Sequence, residues 1–340
     1  MKKCLCTLRR LEFFSNKKRI IKFNFLLILI FVQFLIEINY YLSDSNFLMI
    51  VKRIFNIKYK GSKVCICTFG KLENLYIREF IEHYKNYGID KIYLYDNNEI
   101  NGEKLEDIIK DYIKKGYVHL FDWRGKKTPQ FEFMNDCYQR NKNKYNWLMY
   151  PDIDEFIHLY NNYTKVSMFL DEPKFNNCDI IYLNLLPHTD NGHLKYKNKP
   201  LKKRFPHSIP FTKENLQRLE TKFIIRGNLS NIRLNNVHHG IEGMKKNCNG
   251  FGHKDKIMLY TTEPDTEFYF YIHYYSKSTE EFIIKLKRGG GDDHSLNFKY
   301  GRIKKYFQEN EVTLEKILMI ENATGFNLSN YKIQLNNKNI

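Results

Sequence analysis

Residues 147–157 read WLMYPDIDEFI, an apolar approach followed by three carboxylates and an apolar return. The pattern predicts a buried strand over 148–150 that ends in an acidic turn. In an extended segment Asp152 and Asp154 point to the same side, because side chains alternate with a period of two. Two such carboxylates suit Mg²⁺ or Mn²⁺, which often also bind substrate phosphates. The stretch therefore predicts a metal–nucleotide site, and a solvated acidic loop is the alternative.

The composition favours a globular protein, and its many Lys, Asn and Ile residues indicate a compositional bias of the source as much as a binding surface. The chain has 340 residues, enough for one large domain or two small ones, and its 25 Tyr and 26 Phe supply a sizeable core. The formal net charge of +17 suits an anionic donor or a membrane surface as well as nucleic acid. Because the basic residues are spread along the chain and no zinc-finger or ribonucleoprotein signature occurs, we do not expect a nucleic-acid partner.

The cysteines show no metal-binding spacing. There are seven of them, at positions 4, 6, 65, 67, 137, 178 and 248. Two C-x-C pairs lack the spacing of a zinc site, and the odd count argues against a complete disulfide framework. Cys65 and Cys67 share one face of a predicted strand, so we expect both to be core residues.

The N-terminus is predicted to be a membrane anchor. Residues 1–22 form a basic tail in which eight Lys and Arg are opposed by Glu12 alone. Residues 23–42 are largely apolar and, with the flank from Ile20, long enough to span a bilayer. The positive-inside rule predicts a single-pass type II membrane protein, in a Golgi- or ER-like lumen if the source is eukaryotic. A cleaved signal peptide and a buried amphipathic helix are the alternatives. Residues 43–61 are predicted to be a stem.

Strands and helices alternate in the next part of the chain. Strands are predicted over 63–69, 91–95, 117–121 and 148–150, and helices over 73–87, 105–114 and 129–142. This alternation predicts an α/β domain with an open sheet, over residues 62–310, followed by a C-terminal helix and tail over 311–340. Ligands of such sheets lie at the carboxyl ends of the strands, where Asp96 and the Asp152/Asp154 pair both fall.

The second half is less regular. Strands are predicted over 179–186, 222–226 and 267–275, and a helix over 279–287 with Ser278 as its N-cap. Asp190 follows a predicted strand and precedes Asn191-Gly192. The remaining polar candidates are His238, His239, His273 and the basic segment 202–204.

Taken in order, these motifs resemble glycosyltransferase family 92 and related family-2-like glycosyltransferases of the GT-A type. The similar segments are 92–97 (IYLYDN), 127–130 (KTPQ), 147–156, 190–192 with 199–205, His238, 248–252 (CNGFG) and 273–278 (HYYSKS) with Arg288-Gly289. The glycine turn 289–291 is longer than the family pattern, which leaves the roles of Asp292 and Asp293 open. The resemblance implies a GT-A-type, Rossmann-like open mixed sheet with flanking helices, preceded by the N-terminal transmembrane helix.

The resemblance also implies a reaction. A hexose, galactose-like, would move from a nucleotide sugar such as a UDP-sugar to a glycan or glycoconjugate acceptor, with Mn²⁺ or Mg²⁺ as cofactor. The metal would stabilise the charge that develops on the leaving diphosphate. We expect Asp154 to bind the metal, Asp152 to contact the ribose or the metal through water, and Asp96 to accept a hydrogen bond from the base. His238 is the preferred third metal ligand, ahead of His239 and His273.

An inverting reaction needs a general base for the acceptor hydroxyl. Asp190 is the predicted base and Asp292 the alternative, while the other interpretation of Asp190 is an ordinary Asp-Asn-Gly turn. The basic segment 202–204 would hold the pyrophosphate or the acceptor, unless it is a solvated loop. A membrane-anchored but inactive glycan- or nucleotide-binding module on the same fold is the alternative function.

Overall fold

The computed structural model describes residues 61–127, 130–160, 163–210, 219–236, 246–254, 264–289 and 295–338, with the single residues 33, 212 and 238. The chain divides into two units, Met1–Lys60 and Gly61–Ile340, and the described fold belongs to the second. The predicted tail, anchor and stem up to residue 60 lie outside the described residues, apart from residue 33. Within the described part of the chain, no helix is both long and apolar enough to cross a membrane.

The described residues form one mixed sheet of nine strands. They are β1 (Val64–Gly70), β2 (Lys91–Asp96), β3 (Val118–Asp122), β4 (Trp147–Met149), β5 (Glu155–Leu159), β6 (Ile180–Pro187), β7 (Thr221–Arg226), β8 (Asn247–Asn249) and β9 (Tyr269–His273). The order is β3-β2-β1-β4-β7-β6-β9-β5, with β8 beside the first residues of β6. Strands β1 to β4 are parallel, and β7 runs antiparallel between β4 and β6.

The sheet curls, because β5 lies far from β4 in the strand order yet close to it in the chain. Five residues, 150–154, connect the two strands, while β7, β6 and β9 separate them in the sheet. An extended chain covers at most about 3.6 Å per residue, and flat neighbouring strands are about 4.8 Å apart. The acidic turn can therefore reach β5 only if the sheet bends back over the end of β4. Strand β5 was not predicted from the sequence pattern.

Helices cover both faces of the sheet. They are α1 (Ile77–Asn86), α2 (Leu105–Lys114), α3 (Gln130–Asn141), α4 (Val166–Leu170), α5 (Leu201–Arg204), α6 (Thr279–Arg288), α7 (Leu296–Glu309), α8 (Leu314–Thr324) and α9 (Ser329–Lys338), with a 3₁₀ turn at Pro173–Phe175. The alternation of β1 separates two cores: Val64 and Ile66 pack with α1, whereas Cys65 and Cys67 pack with α3. A third core is formed by the four helices α6, α7, α8 and α9.

The predicted β-α-β units are therefore confirmed, as is the open mixed sheet with flanking helices. Gly88 ends α1 with a φ of 72°, the left-handed conformation that favours glycine. Ser278 caps α6 in a capping box with Glu281. Beyond residue 310 the chain forms α8 and α9, which pack in the third core.

Two disulfides correct the expectation drawn from the cysteine count. Cys67 is a core residue as predicted, but it is also bonded to Cys137, which joins β1 to α3. Cys178 is bonded to Cys248, which joins the start of β6 to β8. Each bridge closes a separation of 70 residues, and Cys65 is the free cysteine among the described residues. The number of cysteines was a poor guide, because disulfide pairing depends on which elements pack together in the fold.

Candidate active site

A cleft with a volume of about 490 Å³ opens at the carboxyl ends of β1, β2 and β4. Phe69, Asn97 and Asp152 lie on its wall just beside these strand ends. A further wall comes from α6 and α7, through Lys285, Arg288, Gly301, Arg302 and Lys305. The cleft thus lies where an open α/β sheet commonly binds its ligand.

The predicted acidic pair is in this cleft. The Asp152 N–H donates to Glu155 Oε2 at 2.9 Å, and the Glu155 N–H donates to the Asp152 carbonyl at 3.0 Å, so the turn closes on itself. The Asp152 side chain is 38% exposed, and its Oδ2 accepts from Lys222 Nζ at 3.0 Å. Asp154 is buried. The turn presents one accessible and one buried carboxylate to the same cavity.

Two lysines hold Asp154. Its Oδ2 accepts from Lys277 Nζ at 3.1 Å and from Lys285 Nζ at 2.8 Å. Burial alone would raise the pKa of Asp154, but the charges of the two lysines outweigh it and hold this pKa well below the usual range. Burial and the neighbouring cations lower the pKa of Lys285 to about 8, against the opposing charge of Asp154. Asp154 is therefore an ionised carboxylate in a dry setting.

Glu155 completes the acidic turn, and its pKa is shifted in the opposite direction to that of Asp154. It is buried, its Oε2 lies 3.4 Å from Lys222 Nζ, and its Oε1 has no hydrogen-bond partner among the described residues. Burial raises the pKa of Glu155 well above the usual range, and the charges of Asp152 and Asp154 add to the effect against the pull of Lys222. Glu155 is therefore harder to ionise than an ordinary glutamate.

Two of the three candidate histidines line the cleft. Strand β9 pairs with β5 so that His273 lies opposite Glu155, and its Nε2 is 3.8 Å from Asp154 Oδ1. His238 Nδ1 lies 3.1 Å from the Thr221 carbonyl, and an Nδ1–H donated there leaves Nε2 with the lone pair. Burial lowers the pKa of both imidazoles, which keeps them neutral. His239 lies outside the described residues.

These donor types suit Mn²⁺ or Mg²⁺, since carboxylate oxygens are their preferred ligands and imidazole is also used. Over the described ranges, no group of three or more His, Cys, Asp or Glu side chains stands ready to hold a metal. A cation at Asp152 and Asp154 would therefore need substrate phosphates to complete its ligands, as Mg²⁺ commonly does. The residues present fit a metal that is shared with a diphosphate.

The cations contributed by α6 and α7 form what we call the cationic wall: Lys285, Arg288, Arg302 and Lys305. This wall was not predicted from the sequence. Arg288 donates to the Lys71 carbonyl at 2.7 Å and pairs with Glu73, and Lys305 pairs with Glu220 at 3.3 Å. The sequence did contain one relevant pattern, the helical spacing of α7. Its positions 298, 301, 302 and 305 lie on one face of the helix, and this face lines the cleft.

Arg302 differs from the other cations of this wall. It donates to the Gly289 carbonyl at 3.4 Å and lies 4.4 Å from the centre of the Phe298 ring. Among the described residues it has no carboxylate within ion-pair distance. An arginine that lines a cleft and has no described counter-ion favours the binding of an anion.

Asp96 lies at the end of β2 as predicted, but its side chain binds its own chain. Oδ1 accepts from the backbone N–H and the side-chain amide of Asn98, and Oδ2 accepts from the Leu105 N–H at 2.9 Å. These bonds hold the β2–α2 loop together. The adjacent Asn97 lines the cleft instead.

Asp190, the predicted base, does not line the cleft. It is buried, and its Oδ2 accepts from Tyr306 at 2.6 Å and pairs with Lys316 at 2.7 Å. Oδ1 accepts from the Gly192 N–H at 2.9 Å, and the Asp190 N–H donates to Asn310 at 2.6 Å. The residue connects the turn after β6 to α7 and α8.

The basic segment 202–204 divides into two kinds of residue. Arg204 is buried and donates to both carboxylate oxygens of Glu281, at 2.6 and 3.0 Å. Lys202 and Lys203 are exposed. None of the three lines the cleft.

Comparison with known proteins identifies the family. A family model described as glycosyltransferase family 92 matches residues 60–309. The chain belongs to glycosyltransferase family 92. This confirms the resemblance seen in the sequence, while the roles of individual motif residues stay predictions.

Curated relatives match this family 92 chain over shorter stretches. The glycosyltransferase family 92 protein Os08g0121900 of Oryza sativa subsp. japonica is 28% identical over 106 residues, covering 31% of this chain and 18% of the relative. Galactan beta-1,4-galactosyltransferase GALS3 of Arabidopsis thaliana is 28% identical over 113 residues, covering 31% of this chain and 21% of the relative. A solved structure of S. aureus TarS 1-349 in complex with UDP-GlcNAc has a TM-score of 0.35 and 13% identity, covering 77% of this chain and 80% of that chain.

The contacts of Asp190 generate a stability prediction. Asp190→Ala would leave Lys316 buried without its counter-ion, which typically costs about 3–5 kcal/mol of the free energy of unfolding. Asp190→Ala combined with Lys316→Met should recover part of that loss. Urea unfolding of the single and double variants measures both, and a loss below about 1 kcal/mol in the single variant would contradict the structural role.

Proposed function

We propose that this family 92 protein is a metal-dependent glycosyltransferase that moves a hexose from a nucleotide sugar to a glycan acceptor with inversion. The observation that carries the proposal is the cleft itself, which brings the Asp152/Asp154 pair together with Lys285, Arg288 and Arg302 at the carboxyl ends of parallel strands. The similarity to a galactan beta-1,4-galactosyltransferase supports galactose as the sugar.

The donor diphosphate would lie between the acidic turn and the cationic wall. Arg302 has no carboxylate partner among the described residues, so it can donate to a phosphate without breaking an ion pair. Phosphate is also the ligand for which the planar fork of arginine is suited. Because the wall is preorganised by α6 and α7, it can stabilise the charge that develops on the leaving diphosphate.

Asp154 and Asp152 would hold the divalent cation, with an imidazole as a further ligand. His238 is the predicted residue, and the 3.8 Å distance between His273 Nε2 and Asp154 Oδ1 supports His273 as well. Mn²⁺ or Mg²⁺ bound there would supply Lewis-acid stabilisation of the diphosphate. Lys222 would keep Asp152 ionised and oriented through its 3.0 Å contact.

On the geometry of the cleft, we propose a different general base for the acceptor hydroxyl from the one predicted from the sequence. Asp190 lies outside the cleft, whereas Glu220 lines it and its side chain is 29% exposed. Burial alone would raise the pKa of Glu220, but the charge and hydrogen bond of Lys305, with the charge of Lys222, outweigh it and lower this pKa, so the carboxylate is ionised at neutral pH. We therefore propose Glu220 as the general base that takes the proton from the acceptor hydroxyl.

An inactive binding module on the same fold is the second candidate. It would use the same cleft to bind a nucleotide sugar without turning it over. The presence of an ionised Asp154, an accessible Asp152 and an ionised Glu220 in one cavity favours the enzyme.

Metal dependence gives the first test. The full chain should transfer sugar from UDP-galactose with Mn²⁺ and lose this activity with a chelator. Asp154→Asn removes a ligand charge, so transfer should fall at least as much as the roughly 10–100-fold that loss of an outer-shell partner costs. Transfer and melting temperature are measured together, with Asp152→Asn as the less buried comparison. Wild-type transfer that persists in chelator would contradict the metal mechanism.

The base is tested by a pair of variants. Glu220→Gln keeps the size of the side chain but removes the proton acceptor, so turnover should fall by about 10²–10⁴-fold while UDP binding is retained. Asp190→Asn is the matched comparison. If Asp190→Asn lost turnover at unchanged stability and Glu220→Gln stayed within about threefold of wild type, the base would be Asp190 as first predicted.

The localisation proposal is a type II membrane protein with its catalytic unit in an oxidising lumen. The two disulfides support it, since such bonds persist mainly in oxidising compartments. Asn-x-Ser/Thr sequences at Asn228, Asn322 and Asn327 also support it, because all three asparagines are exposed. Protease treatment of intact vesicles should leave the catalytic unit undigested, and digestion without detergent would refute this topology.

A further inference from the structure

The two lysines that hold Asp154 have different surroundings. Lys277 does not line the cleft: its side chain is 5% exposed, and its Nζ lies 4.5 Å from the centre of the Tyr76 ring. Its backbone adopts a φ of 51°, an uncommon left-handed conformation that the turn between β9 and α6 imposes. Lys277 is built into the interior.

Lys285 is also largely buried, with a side chain 10% exposed and its Nζ 4.3 Å from the centre of the Tyr275 ring, but it reaches the same oxygen from the cleft. It lies in α6, lines the cavity, and donates to Asp154 Oδ2 at 2.8 Å and to the Tyr275 carbonyl at 3.3 Å. Arg288, one turn further along the same helix, lines the same wall. A lysine ammonium sits on a flexible four-carbon stem, so it can reach a second partner while α6 stays in place.

The charges around Asp154 oppose the binding of a metal ion on its own. One carboxylate already has two ammonium groups, and a divalent cation would add two further positive charges at the same place. Like charges a few ångströms apart in a dry site repel strongly. Both ammonium groups bind Oδ2, so a cation on Oδ1 would lie within a few ångströms of them, and withdrawal of one ammonium would make its binding more favourable. Lys285 is the one of the two that lines the cleft.

We propose that Lys285 is an exchange residue: it neutralises Asp154 while the cleft is empty, and it moves to the donor diphosphate when a divalent cation occupies Asp154. The inference rests on the proposed function, because it takes the cation and the diphosphate from it. The diphosphate supplies the negative charge that the displaced ammonium requires. Metal and donor should then favour each other's binding, since linkage between two ligands is reciprocal.

The proposal predicts effects of opposite sign from one substitution. Lys285→Met keeps most of the length of the side chain and removes the charge, and Asp154 retains Lys277 as a counter-ion. Mn²⁺ alone should bind the variant about tenfold more tightly than wild type, within the usual range of coupling between sites. UDP, titrated at saturating Mn²⁺, should bind about tenfold more weakly.

The measurement uses the full chain, with free Mn²⁺ followed by electron paramagnetic resonance and UDP binding followed by calorimetry. Lys71→Met is the matched control, because Lys71 also lines the cleft but pairs with Glu99 rather than with Asp154. Its Mn²⁺ affinity should stay within about threefold of wild type if the effect is specific to Asp154. Lys285→Gln, with melting temperatures for all variants, provides a second test should Lys285→Met fold poorly.

The outcomes separate the two proposals. If wild type binds Mn²⁺ and Lys285→Met binds it no more tightly, or if Lys71→Met tightens binding equally, the exchange is refuted and the metal-dependent function stands. If neither wild type nor any variant binds Mn²⁺ with or without UDP, the metal part of the proposed function fails and the exchange fails with it. Tighter Mn²⁺ with weaker UDP in the Lys285 variants alone supports the exchange.

Discussion

The contact of Asp154 with Lys277 and Lys285 joins segments that lie 123 and 131 residues apart in the sequence. Burying a carboxylate is costly unless it is paired and hydrogen-bonded, and here the pairing partners come from the turn after β9 and from α6. The Asp154 carbonyl also accepts from the Tyr274 N–H at 2.9 Å. One buried charge thus connects the end of the central strand to the C-terminal part of the protein and positions the cationic wall of the cleft.

A second buried network places α7. Asp190 meets Tyr306, Lys316 and Asn310, and Asn310 Nδ2 donates to Ser276 Oγ at 2.8 Å. The turn after β6 and the segment before α6 are in this way joined to the last helices of the fold. Since α7 carries Arg302 into the cleft, the network acts on the site from outside it.

Most charged side chains around the cleft form ion pairs with other side chains of the protein. Glu73 pairs with Arg288, Asp152 with Lys222, and Glu220 with Lys305. Such pairing reduces the cost of placing these charges in the cleft. Among the described residues that line it, Arg302 is a cation without an ion-pair partner. A ligand with a compact negative charge suits this arrangement, which is why a diphosphate donor explains the cleft better than a neutral sugar does.

The sequence by itself determined the local structure and the place of the acidic pair. Period-two and helical patterns predicted β1 to β4 and α1 to α3, and the position of Asp152 and Asp154 after a buried strand predicted the edge of the sheet where the cleft lies. Both follow from interactions between residues close in the chain, which periodicity records. Asp96 and Asp190 had the same local signature, a carboxylate after a strand, yet they bind their own chain.

Only the tertiary structure decided which of these similar signals face the cleft. The distance between His273 and Asp154, the two lysines on Asp154, the position of Glu220 and both disulfides depend on the register of β9 with β5, on the curl of the sheet and on the packing of α6 and α7. These are contacts between residues far apart in the chain. No spacing in a single sequence encodes them, because they are set by the packing of whole elements against one another.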